Sequence, residues 1–406
     1  MKILFINQFF WPDSSATSQQ LTDLAAGLAA RGHQVTVLCG EGGYAAAASA
    51  LPPAGVNIVR VKALAYSRGT LGRVLSYASF YSNAFFRGLT MPRQDIVVSL
   101  TTPPLISLLG MLIKFVRGSR HFVYEQDMYP DVAVDLNMFK RGGLLAGTVG
   151  FLADLARRNA NGVIALGQCM KDRLIARGIP APLIFIAENW ANGAAITPMP
   201  RPGDPNELVL LYSGNLGQAH DLETLEHSML TLRDDPRFRF VFVGSGKKRE
   251  ELSDFCSANG ITSLELRPYV SRDQLSEGLA AGDIGLVTQH NICCGSVVPS
   301  KVYGIMAAGR PILFIGPRAA TPALVIERHQ CGWQIDCGDD KSLSALLLIL
   351  AQNPHLVHEA GLRARKALLE HYDVQPSIDR IANILAPGAH HSSNANDLSL
   401  TASSAG

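Results

Sequence analysis

Short runs rich in Val, Ile and Leu alternate along this chain with longer stretches of helical period. KILFI opens it, followed by a helix over residues 17–31 and by QVTVLC; IVVSL leads through a helix to HFVYE, and GVIAL through another to LIFIA. Uninterrupted apolar runs this short suit strands buried on both faces, and the helices between them supply the crossovers of a parallel sheet. A doubly wound α/β domain is therefore expected over residues 1–187. Residues 188–207 (ENWANGAAITPMPRPGDPNE) lose the periodicity and read as a linker. The pattern then restarts with LVLLYSG, FRFVFVGSG, LELRPYV, IGLVTQ, PILFIG and GWQID, which predicts a second α/β domain over residues 208–372. A helix over residues 373–386 is expected to close back on the first domain, and the small, polar tail 387–406 to be disordered. Two such domains in series leave a cleft between the carboxyl ends of their sheets, where ligands of this fold class bind.

Composition narrows the function classes. The 406 residues are 47% hydrophobic and 17% charged, with a formal charge of +2, so no nucleic-acid partner is expected. Seven scattered cysteines without a C-x-x-C give neither a disulfide framework nor a zinc site, which fits a cytoplasmic protein. The start shows no signal peptide, and the longest apolar run, residues 105–116, contains Lys114 and falls short of the roughly 20 residues that span a bilayer. One local bias hides under the neutral total. Residues 56–124 hold nine basic side chains (Arg60, Lys62, Arg68, Arg73, Arg87, Arg93, Lys114, Arg117 and Arg120) against the single acid Asp95. In the same segment Val74, Tyr77, Tyr81, Phe85 and Leu89 recur at helical spacing, with Tyr66, Phe80 and Phe86 close by. This is either a core-facing stripe with a solvated basic back or a surface for a membrane.

The loop FFWPDSSATSQQ stands where a dinucleotide fold places G-x-G-x-x-G, yet it has no glycine, which argues against a dehydrogenase. Thr17 and Ser18 offer hydroxyls to a ligand there; alternatively Ser14, Ser15 or Thr17 simply caps the helix. Gly214-Asn215-Leu216-Gly217 follows the first strand of the second domain and is expected to precede a helix, letting backbone amides approach a phosphate or merely making a turn. In VVPSKVYGIMAAGRPIL (residues 297–313), Pro299 and Ser300 introduce a helix with Lys301 in its first turn. Hydroxyl, amides and ammonium converging there suit a diphosphate, and the plain alternative is a solvated lysine. No D-x-D metal motif occurs. His33, at a helix-to-strand turn, and the tail residues His390 and His391 have no metal-site partners.

YSGNLG, FVFVGSGKKREEL and PSKVYGIMAAGRPIL, in this order behind LIFIAENW, resemble the retaining glycosyltransferases of family 4, with the GT-B fold. The likeness runs from Met1 to about Leu385 and is greatest to members that build bacterial surface polysaccharides such as O-antigen, capsule or exopolysaccharide. It implies two facing Rossmann-like domains, a UDP- or GDP-sugar donor bound by the second, and a lipid-linked glycan acceptor bound mainly by the first. It also implies transfer of a hexose, N-acetylated or deoxy, with retention and with neither metal nor other cofactor. In the subset resembled, Q-D-x-x-P-D stands where other members carry an active-site histidine. Asp127 of YEQDMYPDVAVDL is thus the candidate to accept the acceptor's proton or steady positive charge, with a structural hydrogen-bond acceptor as the alternative and Asp131 as a helix cap. Two family features are missing: the E-x7-E carboxylates fall on Ser296 and Gly304, and the usual basic pair meets Asn215 and His220 or Asp221. Lys301 remains as the cation for the diphosphate, joined by Lys247. A lipid-linked acceptor places the work at the inner face of the cell membrane, so the segment 56–124 is expected to sit peripherally on anionic lipid. A GT-B nucleotide-sugar epimerase and a non-catalytic nucleotide-sugar binder stay open as rivals.

Overall fold

The computed structural model describes residues 1–13, 15–41, 51–64, 70–271 and 274–387, apart from the side chains of residues 70, 71 and 73. Ser14, Tyr66, Arg68, the Arg73 side chain, His390, His391 and the rest of the tail after Pro387 lie outside the described residues.

The first domain runs β1 (Lys2–Ile6), α1 (Ala16–Ala30), β2 (Gln34–Gly40), β3 (Val56–Val61), α2 (Thr70–Thr90), β4 (Ile96–Ser99), α3 (Ser107–Arg117), β5 (Arg120–Tyr124), α4 (Asp131–Asp135), α5 (Leu144–Arg158), β6 (Gly162–Ala165), α6 (Gln168–Ala176) and β7 (Ile184–Ile186). Its strands form a seven-stranded sheet in the order β3-β2-β1-β4-β5-β6-β7, parallel throughout. The central runs IVVS and GVIA are buried along their whole length, because helices cover both faces. The edge strand VNIVRV escapes a search for apolar runs, since most of its residues are at least partly open to solvent.

The second domain follows as β8 (Leu208–Ser213), α7 (Glu223–Thr231), β9 (Phe238–Val243), α8 (Lys248–Ala258), β10 (Leu264–Arg267), α9 (Leu275–Ala280), β11 (Ile284–Thr288), α10 (Lys301–Ala307), β12 (Ile312–Ile315), α11 (Thr321–His329), β13 (Gly332–Ile335), α12 (Asp340–Gln352) and α13 (Pro354–Ala367). Its six strands run β10-β9-β8-β11-β12-β13, again all parallel. In both sheets the order reverses beside the first strand of the domain, between β1 and β4 and between β8 and β11. Loops leaving neighbouring strands there diverge to opposite faces and open a crevice.

A π-turn over Leu368–Tyr372 then redirects the chain into α14 (Val374–Leu385). Asp373 fixes the turn by accepting from the N–H groups of Val374 (2.8 Å) and Gly193 (3.0 Å). Ile378, Ile381, Ile384 and Leu385 of α14 enter the core of the first domain, and Arg31 of that domain pairs with Asp379 at 2.6 Å. A β-carbon at Gly27 of α1 would stand 2.2 Å from the Ile378 side chain, so the two helices approach closely.

Candidate functional site

On the second-domain side, two glycine loops pack backbone against backbone. Gly214, Gly244 and Gly246 have φ of 141°, 131° and 135°, a region that residues with a side chain rarely enter. A β-carbon at Gly244 would lie 2.1 Å from the Gly214 carbonyl oxygen, and one at Gly246 2.3 Å from that of Leu216. The Leu216 N–H donates to the Ser245 carbonyl at 2.7 Å. One expectation is corrected here: α7 begins only at Glu223, so Gly214, Asn215 and Gly217 do not lead straight into a helix, and whatever they hold is held by loop amides. Asn215 is exposed, and its carbonyl accepts from the Tyr212 hydroxyl at 2.9 Å.

Lys301 opens α10, a helix of seven residues, behind the partly exposed Pro299 and Ser300. A first-turn lysine is expected to extend into the cleft, and this too is corrected. The residue as a whole is partly open to solvent, but its ammonium is buried. Nζ lies 3.6 Å from the centroid of the Tyr212 ring, under Gly214, and has no hydrogen-bond partner. The ring's negative face offsets part of the cost of burying the charge. The rest appears as a pKa pushed well below the usual lysine range by burial. Tyr212 is itself braced: it stacks on Phe242 at 5.2 Å, and its oxygen stands 3.0 Å from His220 Nε2. His220 Nδ1 is 2.8 Å from the Thr288 carbonyl. Burial first, then the Lys301 charge, lower the imidazole pKa to about 3, so His220 is neutral.

Of the two adjacent lysines in GSGKKRE, Lys247 is exposed and makes none of the hydrogen bonds of this network. Lys248 instead donates to the His220 carbonyl at 2.6 Å and approaches His290 Nε2 at 3.4 Å. The sequence offers both, and only the start of α8 decides between them.

Across the cleft, Asp127 follows β5. Protein crowds its carboxylate, yet solvent reaches it, and desolvation followed by the nearby Glu125 charge raises its pKa to about 6. A small pocket opens beside it, lined by Thr101, Pro104, Ser107, Glu125 and Tyr129 among others. The Asp127 backbone bridges Val297 antiparallel, and the Met128 N–H donates to the Ser296 carbonyl at 2.8 Å. Asp127 thus meets the second domain four residues before Lys301. Asp131 does not cap α4, since the N-cap position is Pro130. Its carboxylate pairs with Arg173 and Arg177, each at 3.2 Å.

At the first loop, Ser15 is the N-cap residue of α1 without a side-chain cap bond, and its N–H is held by Asp13 at 2.8 Å. Ser18 is buried with an unpartnered hydroxyl, which leaves Thr17 as the more accessible of the pair. Where the family's carboxylates are missing, Ser296 bonds the Cys293 carbonyl at 3.2 Å, whereas a side chain at Gly304 would meet nothing closer than Leu279 Cδ1 at 3.9 Å. Among the described residues, no three His, Cys, Asp or Glu side chains are grouped to hold a metal ion.

Residues 15–190 match the glycosyl transferase 4-like domain, and residues 200–367 match the glycosyl transferases group 1 domain. The chain is a family 4 glycosyltransferase. Among its relatives, the "Probable glycosyltransferase WbjE" of Pseudomonas aeruginosa is 26% identical over 312 residues, 73% of this chain and 75% of WbjE. WcaI of Escherichia coli K12, assigned to colanic acid biosynthesis as a glycosyl transferase, is 27% identical over 337 residues, 76% of this chain and 82% of WcaI. Solved structures share the fold. Anabaena HepE with UDP and glucose superposes with a TM-score of 0.71 at 16% identity, covering 95% of this chain and 99% of HepE. WaaG, a glycosyltransferase involved in lipopolysaccharide biosynthesis, gives 0.67 at 16% identity over 95% and 100%. The GT-B architecture of this family 4 enzyme is therefore as expected, and the epimerase and the non-catalytic binder give way.

The basic segment is less free than its count implies. Arg60, Arg93, Lys114, Arg117 and Arg120 all donate to backbone carbonyls within the fold. Along α2, Phe80 and Ala84 face the core with Tyr81 and Leu89 packed beside them, while Val74, Phe85 and Phe86 are exposed. Among the described residues no helix is long and apolar enough to cross a membrane.

Proposed function

We propose that this enzyme moves a hexose, N-acetylated or deoxy, from a UDP- or GDP-sugar in the second domain to a lipid-linked glycan presented to the first. Transfer retains configuration, needs no metal, and serves bacterial surface polysaccharide assembly. The observation that carries the reading is the seam at Val297, which brings the accessible Asp127 carboxylate within a few residues of a buried ammonium lacking any hydrogen-bond partner. Relatives support the pathway and the donor class: WcaI is named for colanic acid, and HepE was solved with UDP and with UDP-glucose.

The chemistry follows from these groups. A diphosphate entering beside the glycine loops meets backbone amides and gives the Lys301 ammonium the anionic partner that the Tyr212 ring only imitates. Asp127 faces the acceptor side, where its carboxylate receives the hydroxyl proton or steadies charge at the sugar carbon, while the leaving diphosphate assists on the same face. Closure excludes the water that would hydrolyse the donor. Offering the purified protein a panel of UDP- and GDP-sugars with lipid-linked acceptors, and reading nucleotide release and product mass, tests this. One donor class should be consumed with acceptor-dependent product, and consumption of none would refute the transfer.

We propose further that the enzyme works peripherally on the anionic inner face of the cell membrane. The exposed Phe85 and Phe86 of α2, Phe115 of α3, and Leu144, Leu145 and Phe151 of α5 lie on neighbouring helices, with Arg87, Lys140, Arg141 and Arg158 exposed on or near them. Apolar side chains with basic neighbours suit an interfacial anchor. The surface differs from the one read in the sequence, because α5 contributes much of it.

A further inference from the structure

An unbroken chain of ion pairs runs away from the reacting side of the first domain: Glu125 to Arg157 (2.7 Å), Arg157 to Asp154 (3.0 Å), Asp154 to Arg177 (2.6 Å), Arg177 to Asp131 (3.2 Å), Asp131 to Arg173 (3.2 Å) and Arg173 to Asp135 (2.7 Å). We propose that Arg173, near the far end of this chain, is a positioning residue, the clasp through which closure of the two domains sets Asp127 against the segment leading to Lys301. This rests on the roles given above to Asp127 and Lys301.

The guanidinium is used on three sides. Nε donates to Asp131 Oδ1 at 3.2 Å and Nη2 to Asp135 Oδ1 at 2.9 Å, while Nη1 crosses to the second domain and donates to the carbonyls of Cys294 (2.9 Å) and Ile292 (3.2 Å). The two carboxylates fix the plane of the fork, so its remaining edge can point only at those carbonyls. A lysine keeps the charge but has no such plane.

The grip lands on a segment built to transmit it. Gln289 Nε2 donates to the carbonyls of Cys293 and Val297, both at 3.0 Å, which holds the segment 289–297 as one folded piece. Gly295, at φ 79°, lies flush on the first domain: a β-carbon there would stand 2.4 Å from the Cys169 carbonyl oxygen. The same piece ends in the bridge of Val297 to Asp127 and continues into Pro299, Ser300 and Lys301. When the domains part, the two carbonyls lose their donor and Asp127 loses its bridge together. Donor affinity, a property of the second domain, does not depend on the clasp; turnover does.

Full-length Arg173→Lys tests this against the wild type by calorimetry with UDP and with GDP, by transfer rates with the donor found in the screen, and by amide hydrogen exchange. Nucleotide affinity should stay within about twofold, while kcat falls about tenfold or more and exchange in residues 125–132 and 289–298 speeds up about tenfold with both sheets unchanged. Asp135→Asn loosens the same guanidinium without touching either carbonyl, and should reproduce the pattern at smaller amplitude. Wild-type kcat and exchange in Arg173→Lys would overturn the clasp. So would a joint fall of nucleotide affinity, Tm and kcat, which marks a merely structural arginine. If neither nucleotide binds the wild type, the donor reading fails alone, and exchange in the two segments still decides the clasp.

Discussion

The two sides of the cleft treat charge in opposite ways. In the first domain carboxylates and guanidinia neutralise one another in a chain, and Asp127 is left outside it, crowded but open to water. In the second domain the cation is what is left over: Lys301 rests on an aromatic face with neither an anion nor a hydrogen bond. The difference matches two tasks. A group that exchanges a proton works best as a lone titrating carboxyl among fixed neighbours. A group that must capture an anion keeps its strongest interaction unmade until the anion arrives.

Replacing Asp127 by Asn removes the exception on the first side, and should have the largest effect. Turnover should fall about a hundredfold or more with nucleotide affinity unchanged within about twofold. A carboxyl raised to about 6 accepts a proton only when ionised, so the wild-type rate should decline as pH drops through about 6. That acid limb should be missing from the Asn variant's pH–rate profile. Equal losses of Tm and activity would instead make Asp127 structural.

On the second side the sharper test is of the backbone. Gly246→Ala forces a β-carbon to 2.3 Å from the Leu216 oxygen at φ 135°, and should cost about 1–3 kcal/mol in denaturant unfolding. Gly304→Ala, inside α10 with nothing nearer than 3.9 Å, should stabilise by about 0.5–1 kcal/mol. Similar values for both would break the claim that the glycine loops are held by contact.

The smallest effect concerns the outer face. Vesicle flotation should show binding that requires anionic lipid and weakens with salt, and Arg87→Glu should reduce it by a factor corresponding to about 1 kcal/mol. Recovery equal on neutral and anionic vesicles, or absent on both, would confine the enzyme to solution chemistry.

How far the sequence reaches follows from the range of each signal. Buried strands such as IVVS and GVIA announce themselves through local apolar runs, and the stretch ending in AAGRPIL points to the second-domain side. VNIVRV does not, because its solvent-facing residues dilute the run. Lys247 and Lys248 are equivalent in sequence and differ only in their place at the start of α8. Arg173 stands 42 residues beyond Asp131 and 48 beyond Glu125, and no spacing rule joins α6 to α4 or to the loop after β5. The burial of the Lys301 ammonium is equally invisible, since it depends on Tyr212 and Gly214 arriving from β8 and the loop after it.

The central claim is that the unpartnered Lys301 ammonium waits for a diphosphate, and calorimetric titration of the wild type and Lys301→Met with UDP and GDP tests it most directly. A charge-assisted contact is worth about 1.5–3 kcal/mol, so affinity should fall about tenfold or more in the variant. The ligand-free Tm should rise, because a buried charge without a partner has been removed. Wild-type affinity should also weaken as rising pH passes the lowered lysine pKa and removes the charge. Unchanged nucleotide affinity in Lys301→Met would contradict the account.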